Sequence, residues 1–427
     1  MNPIGIVICN YNKSRFVVEC IQSILESKEQ NFDIYVVDNA STDDSVEQIK
    51  TRYGNQVTLI ENTENLGGSG GFNSGLRIVR DKGYRYFMCL DDDAMVDENA
   101  IHTLYTYMEE HPDVGMAGCR VYHTQMPEYI QQCGLTIDFK HCTIQTLYAD
   151  TLEDGSLPDV ISCDAAATCA LMVRGSVIRE TNVGIMPEDN FIYWDDIEWG
   201  YRMHLAGYRT VTLGSAKALH QMGATTKKSN TFINYYMWRN RTNFFMRYTP
   251  EENLDEMSIH ALGDIFDYMY ESMFREEHNN VQTIAYALQD VLQGVRGKAA
   301  EYKLLPNDAD DAVDERLTAY VQDKNTFFIV EDGYSEEAGF LRNFLQKANP
   351  ALTETDQKNQ ADVIFHMCEN VFRVQDFSLK EIYIDENRTC ILSEEDVLTV
   401  KNYEYCKSLF LYMNQGVFLA AANNLRK

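Results

Sequence analysis

The chain lacks a surplus of positive charge. It carries 37 Lys and Arg against 65 Asp and Glu, a formal net charge of −28, with a pI near 4.6. That balance excludes general electrostatic retention of nucleic acid or of an anionic membrane. It leaves room for a local basic pocket that takes a phosphorylated small molecule. Paired cysteine motifs are also missing. The 11 cysteines are scattered without a CxxC, and Cys9 and Cys89 sit in apolar runs. Reduced, buried thiols in the cytosol are expected, and neither a disulfide framework nor a zinc site. The opening MNPIGIVICNYNK has no charged leader. Nowhere is there the run of about 18 apolar residues that would cross a membrane. Internal repeats and low-complexity tracts are absent as well. What is present is 427 residues, 45% of them hydrophobic, a length that suggests two or three domains.

Strand and helix patterns alternate over the first 120 residues or so. Strands are expected at Ile4–Cys9, Ile34–Val37, Val57–Ile60, Tyr86–Leu90 and Val114–Val121. Helices are expected between them at Arg15–Ser27, Asp43–Tyr53, Phe72–Lys82 and Glu98–Glu110, the second capped by Ser41 or Thr42. Repeated βα units of this length imply an α/β fold with a mainly parallel sheet and helices on both faces. Shorter strands follow to about residue 175, with Ala170–Val173 apolar enough for the core. A helix at Asp195–Ala206 ends at Gly207, before a strand at Thr210–Leu213. Helical spacing dominates 255–305. The acidic stretch Asn307–Asp314 reads as a linker. Beyond it, Phe327–Val330, Glu337–Lys347, Val363–Met367 and Ile382–Ile384 suggest a small α/β unit. The expected division is therefore 1–250, 251–306 and 315–427, the last of unassigned role.

The run Leu90-Asp91-Asp92-Asp93 ends an expected strand. Three adjacent carboxylates repel one another, and a divalent ion would relieve that repulsion through hard oxygen ligands. Strand ends are also where open α/β sheets bind ligands. The alternative is a solvated acidic turn. Asp38 ends another strand, where a carboxylate can accept from a base or ribose, or simply shape a turn. Asn65-Leu-Gly-Gly-Ser-Gly-Gly-Phe-Asn73 would let backbone approach a phosphate. It lacks the Gly-Lys-Ser/Thr of a P-loop and the spacing of a dinucleotide fingerprint, and a flexible turn would explain it too. In Tyr193-Trp-Asp-Asp-Ile-Glu198, a helix N-terminus accounts for one acid. The tryptophan beside a carboxylate pair suits a sugar ring and a general base toward a hydroxyl. Glu198 and Arg202 read as an i, i+4 ion pair. His220 follows a strand-like run, as a ligand or as a structural histidine. Arg239 and Arg241 could hold a diphosphate or form the basic face of a helix.

Taken in order, VICNYNK at Val7–Lys13, VVDNASTDDS at Val36–Ser45, NLGGSGGFN, the aspartate triplet and WDDIEWGYR followed by a histidine resemble an inverting glycosyltransferase of the GT-A fold, glycosyltransferase family 2. The resemblance covers about residues 1–250. Within the family it is most similar to enzymes that use UDP-galactofuranose or dTDP-rhamnose to build bacterial surface polysaccharides. The resemblance implies that Asn10, Asp38, Asn65, Gly67, Gly68, Asp91, Asp92 and Arg239 bind the nucleotide-sugar donor. It implies that Asp93, Asp91 and His220 hold Mn²⁺ or Mg²⁺, that Trp194 and Asp195 meet the acceptor, and that Asp196 is the base. The implied acceptor is a glycan or lipid-linked glycan, met by a cytoplasmic protein at the membrane surface. The helical stretch at 255–305 could pack against a second copy. The first strand starts without a β-rich unit ahead of it, which counts against processive polymerisation. A sugar-phosphate nucleotidyltransferase is a rival, but Asn10–Arg15 lacks the glycines such enzymes place after strand one. A non-catalytic glycan-binding scaffold is the other rival, and the intact Asp91, Asp93 and Asp196 argue against it.

Overall fold

A computed structural model describes residues 2–221, 230–308, 312–378, 381–386 and 388–426. The N-terminal part runs β1 (Ile4–Asn10), α1 (Ser14–Leu25), β2 (Phe32–Asp38), α2 (Ser45–Tyr53), β3 (Val57–Glu61), α3 (Gly67–Asp81), β4 (Tyr86–Asp91), β5 (Ala94–Val96), α4 (Ala100–Glu110) and β6 (Val114–His123). Short strands follow: β7 (Tyr129–Gln132), β8 (Leu135–Asp138), β9 (Thr143–Thr146), β10 (Thr151–Leu152) and β11 (Val160–Cys163). Then come β12 (Ala170–Arg174), α5 (Gly175–Glu180), α6 (Asp195–Leu205) and β13 (Arg209–His220). The main sheet is ordered β10-β7-β6-β12-β4-β1-β2-β3. Strands β4, β1, β2 and β3 are mutually parallel. β12 is wedged antiparallel between β4 and β6, and β13 runs parallel to β6. This is the mixed α/β architecture with a mainly parallel sheet that the alternating pattern implied.

The period-2 alternation of β1 explains why the sheet is covered on both faces. Ile4, Ile6 and Ile8 pack under α1, α2 and α4, with Val17, Ile21, Ile49, Ile101 and Leu104. Val7 points the other way, toward Phe72, Leu76 and Val79 of α3 and Trp199 and Met203 of α6. Two boundaries differ from expectation. Helix α2 starts at Ser45, and neither Ser41 nor Thr42 caps it, because the Ser41 hydroxyl accepts from Asn10 and from the Asn12 N–H instead. Helix α3 starts at Gly67, so the glycine-rich segment is the helix's first turns and not a loop. The glycines let α3 lie close on the sheet: a Cβ on Gly75 would fall 2.5 Å from Val7 Cγ1.

The remainder comprises α7 (Thr231–Tyr248), α8 (Leu254–Phe274), α9 (His278–Gln293), α10 (Ala312–Val321), β14 (Thr326–Val330), α11 (Ser335–Ala348), β15 (Thr353–Glu354), β16 (Val363–Met367), β17 (Glu381–Ile384) and α12 (Glu394–Leu425). The last four strands form a parallel sheet ordered β15-β14-β16-β17. Part of the acidic stretch read as a linker, residues 309–311, lies outside the described residues. The 32-residue α12 has no counterpart among the elements expected from the sequence. Gln415 donates to Ser258, and Tyr403 and Lys407 both reach Asp267, so α12 returns antiparallel along α8. All eleven cysteines are free thiols.

Candidate active site

The carboxyl ends of β1, β2 and β4 lie side by side, with Cys9 opposite Asp91 and Asn10 opposite Asp38. Asp38 is buried, accepting from Asn10 Nδ2 at 3.0 Å and from the Ser41 N–H at 3.0 Å. After Asp91 the chain turns over Asp92 and Asp93 and re-enters as β5. That strand pairs with the end of β13, placing His220 opposite Ala94. The pairing brings a histidine 129 positions downstream onto the triplet. Its Nε2 lies 3.2 Å from Asp93 Oδ1 and 3.7 Å from Asp91 Oδ2. One ligand atom from each of Asp91, Asp93 and His220 fits within 4.8 Å of the others. Asp93 Oδ1 is buried, with His220 Nε2 as its polar neighbour.

Two neighbours orient this cluster. Gln131 Oε1 lies 2.7 Å from His220 Nδ1. An amide oxygen only accepts, so Nδ1 carries the proton and Nε2 is left to face the carboxylates. Lys13 reaches Asp93 Oδ2 at 2.6 Å and Asp92 Oδ1 at 3.1 Å. Burial alone would raise every carboxyl here. In Asp93 the hydrogen bonds and charges of His220 and Lys13 outweigh burial and hold its pKa below the usual range. Asp91 has weaker compensation and is raised, chiefly by burial. Asp92 is pushed up to about 7, again chiefly by burial. His220 is raised, because Asp93 and Asp91 overcome the opposing effect of burial. Asp92 turns inward and accepts from the Tyr11 N–H at 3.0 Å, so it anchors the loop after β1 and presents no free oxygen to a donor.

Opposite the triplet stands the N-terminus of α6. Asp195 accepts from Ser69 Oγ at 2.8 Å, and Asp196 accepts from the Ile197 N–H at 2.8 Å. Asp196 is pushed up to about 7 by burial first and by the charge of Asp195 second. One cavity of about 420 Å³ is lined by Gly68, Asp91, Tyr193, Asp195, Asp196 and His220 together. Asp91 of the aspartate triplet and the tryptophan-flanked pair therefore face a common space.

The backbone entering α6 is strained. Phe191, Tyr193 and Trp194 have φ of 69°, 62° and 67°, values that non-glycine residues adopt at a cost. Side chains of α7 hold that conformation. Asn240 Nδ2 donates to the carbonyls of Asn190, Ile192 and Tyr193 at 2.8–3.0 Å. Arg239 is fully buried and donates to the carbonyls of Asn190 and Gly297. This corrects the expectation that Arg239 grips a diphosphate: its donors already serve the loop. Trp194 lines the same cavity. It is 3% exposed, with its ring packed on Phe244 and Phe245, and Tyr193 is the more open aromatic on the cavity. Asn65 and Gly67 likewise shape the entry to α3. Asn65 Oδ1 accepts from the Gly67 N–H, and a Cβ on Gly67 (φ +76°) would fall 2.1 Å from the Phe191 carbonyl. Of that segment, Gly68 and Phe72 line the cavity.

Glu198 makes the expected bond to Arg202, at 2.7 Å, but also meets Arg247 at 2.9 Å, Arg296 at 3.0 Å and the Tyr248 hydroxyl at 3.0 Å. Burial opposes its charge, yet the three guanidinium groups hold its pKa down to about 2. That stabilisation is present above the ordinary glutamate value and disappears as pH falls through about 2. Glu198→Gln is expected to cost about 3 kcal/mol by leaving buried cations uncompensated. A lowered Tm in thermal melts at neutral pH checks this, and an unchanged Tm would contradict it.

Comparison with known proteins adds to this geometry. Residues 5–177 match the family model for Glycosyl transferase family 2. The family 2 segment is less than half of the chain. It contains Asp38 and the aspartate triplet, whereas Asp195, Asp196 and His220 lie beyond it. Glycosyltransferase GlyG of Streptococcus pneumoniae serotype 4 is 32% identical over 109 residues, 25% of this chain and 35% of that protein. Poly-beta-1,6-N-acetyl-D-glucosamine synthase of Staphylococcus aureus is 22% identical over 210 residues, 49% of this chain and 47% of that protein. The chain thus spans less than half the length of these relatives. Mannosyltransferase PcManGT from Pyrobaculum calidifontis, solved with GDP-Man and Mn²⁺, superposes with a TM-score of 0.42 at 14% identity, covering 81% of this chain and 85% of that one. The family 2 segment and its relatives support a glycosyltransferase.

Proposed function

We propose that this protein transfers a sugar, with inversion, from a nucleoside-diphosphate donor to a hydroxyl of a surface glycan. The observation that carries the reading is the single cavity shared by Asp91 and His220 on one side and Asp195 and Asp196 on the other. The family 2 match supports the class of donor. UDP-galactofuranose and dTDP-rhamnose are the favoured donors, from the likeness of the glycine-rich and Trp-Asp-Asp segments. Two carboxylates and an imidazole with a free Nε2 fit a hard divalent cation, Mn²⁺ or Mg²⁺. When bound there, the ion would neutralise charge building on the departing diphosphate.

The chain's own groups supply the rest. Asp38 and Asn10, at the ends of β2 and β1, are placed to accept from a pyrimidine or ribose, and Asn10 Oδ1 is buried without a partner. Asp196 takes the proton of the acceptor hydroxyl. The oxygen then bonds to the anomeric carbon as the bond to the diphosphate breaks, and the nucleoside diphosphate leaves. One displacement requires one base, and Asp195, held by Ser69, keeps the second carboxylate turned toward α3. Among the described residues no helix is long and apolar enough to cross a membrane. The proposed setting is the cytoplasm, at the membrane face where lipid-linked acceptors are presented. Thermal-shift screening with UDP, dTDP, GDP and their sugars tests the reading. The largest Tm rise should come from a UDP- or dTDP-sugar with Mn²⁺. A response to none of them would overturn it.

A further inference from the structure

Helix α12 is covered on one side only. Val400, Tyr403, Phe418 and Ala422 are buried, facing the α7–α9 layer. The opposite face carries Leu398, Tyr405, Leu409, Tyr412, Met413 and Val417, which are 46–87% exposed. Their spacing of three, four and seven residues makes them one stripe along the helix. From Tyr405 to Ala420 no exposed position is charged, in a chain whose net charge is −28. An apolar surface of this length on an acidic protein calls for an occupant.

We propose that the occupant is α12 of a second copy, packed antiparallel about a two-fold axis near Leu409. The stripe is self-complementary only in that direction. Its N-terminal half carries bulk, at Leu398, Asn402 and Tyr405, and its C-terminal half carries small residues, at Gly416 and Ala420. An antiparallel crossing centred on Leu409 sets Leu398 against Ala420, Asn402 against Gly416, and Tyr405 against Met413. A parallel crossing would set bulk against bulk and leave a gap at Gly416. Antiparallel helices also oppose their dipoles favourably. The isologous geometry closes at two copies. The uncharged stripe is where two chains of like charge approach with least repulsion. Covering six side chains of this size would bury on the order of 1,200 Å² in the pair, the lower end of specific interfaces. A lipid surface fits less well. Membrane-surface helices border their apolar face with several Lys and Arg, whereas here exposed Lys401 is offset by exposed Glu404 and Lys407 is tied to Asp267.

Sedimentation velocity on the full chain at about 10 µM tests this by mass action. A species of about 98 kDa is expected, twice the 49.1 kDa of one chain. Leu409→Glu and Tyr412→Glu should return it to the single-chain mass. Leu205→Glu, a change at a residue exposed to a similar degree but on α6, should not. Leu409→Cys should give a covalent dimer on mild oxidation, because residue 409 meets itself across the axis. Leu398→Cys should do so only when combined with Ala420→Cys. A single-chain mass for the unaltered protein, or a dimer that survives Leu409→Glu, would overturn the proposal. So would a monomer that sediments with phosphatidylglycerol–phosphatidylethanolamine vesicles through this face, which would assign the stripe to lipid.

Discussion

Asp196→Asn is expected to lower kcat by about 10²–10⁴-fold, the usual worth of a positioned general base, with little change in nucleotide affinity. The asparagine keeps the shape and can still accept from the Ile197 N–H. It cannot take a proton from the acceptor. The carboxyl of Asp196 is pushed up to about 7, by burial and then by Asp195, so its proton affinity sits near neutral pH. The base acts in its ionised form. Turnover should therefore rise as pH increases through about 7 and level off above it, and Asp196→Asn should lose that limb. Steady-state kinetics across pH 5–9, with donor binding followed by calorimetry, separate the two effects. An unchanged kcat in the variant would remove Asp196 from the mechanism.

Chelation of divalent ions is expected to abolish turnover, and added Mn²⁺ to restore it. Stabilising a departing diphosphate with a metal ion is worth several kcal/mol, on the order of 10³-fold in rate. Asp93→Ala should reproduce the loss without chelator. Asp93 is the right residue to remove because it is held ionised and one of its oxygens faces His220 Nε2 across the candidate ion position. In the free protein Lys13 and His220 balance its charge. Removing Asp93 also frees Lys13, so the variant should resist rescue by excess Mn²⁺. Activity in chelator equal to that in Mn²⁺ would refute the role given to Asp91, Asp93 and His220.

The residues differ in how much of this arrangement could be seen beforehand. The strands of the parallel sheet stand where hydrophobic alternation and βα spacing put them, because buried strands and amphipathic helices write their contacts locally. Asp38, Asp91, Asp93, Asp195 and Asp196 were visible as carboxylates at element ends, where chain geometry decides position. Gln131, Lys13, Ser69 and Asn240 were not singled out. Each acts through hydrogen bonds to residues 47 to 126 positions away, and nothing in a local pattern marks such a partner. The glycine-rich segment misled for a related reason. Glycines read as a turn, yet here they admit close packing of α3 on β1 and the 188–195 segment. Arg239 misled because its residue type suggested ligand contact while tertiary packing encloses it. The 32 residues of α12 carry apolar side chains on both faces, so no single stripe announced the helix.

The central claim is that the cation cluster and the base look into the same space. A crystal structure of Asp196→Asn with Mn²⁺ and an intact nucleotide-sugar tests it most directly. The account predicts the ion on Asp91, Asp93 and His220, the diphosphate against it, and residue 196 facing the anomeric carbon from the side opposite the leaving group. A donor bound elsewhere, or a sugar turned away from α6 with the ion absent from the triplet, would contradict it.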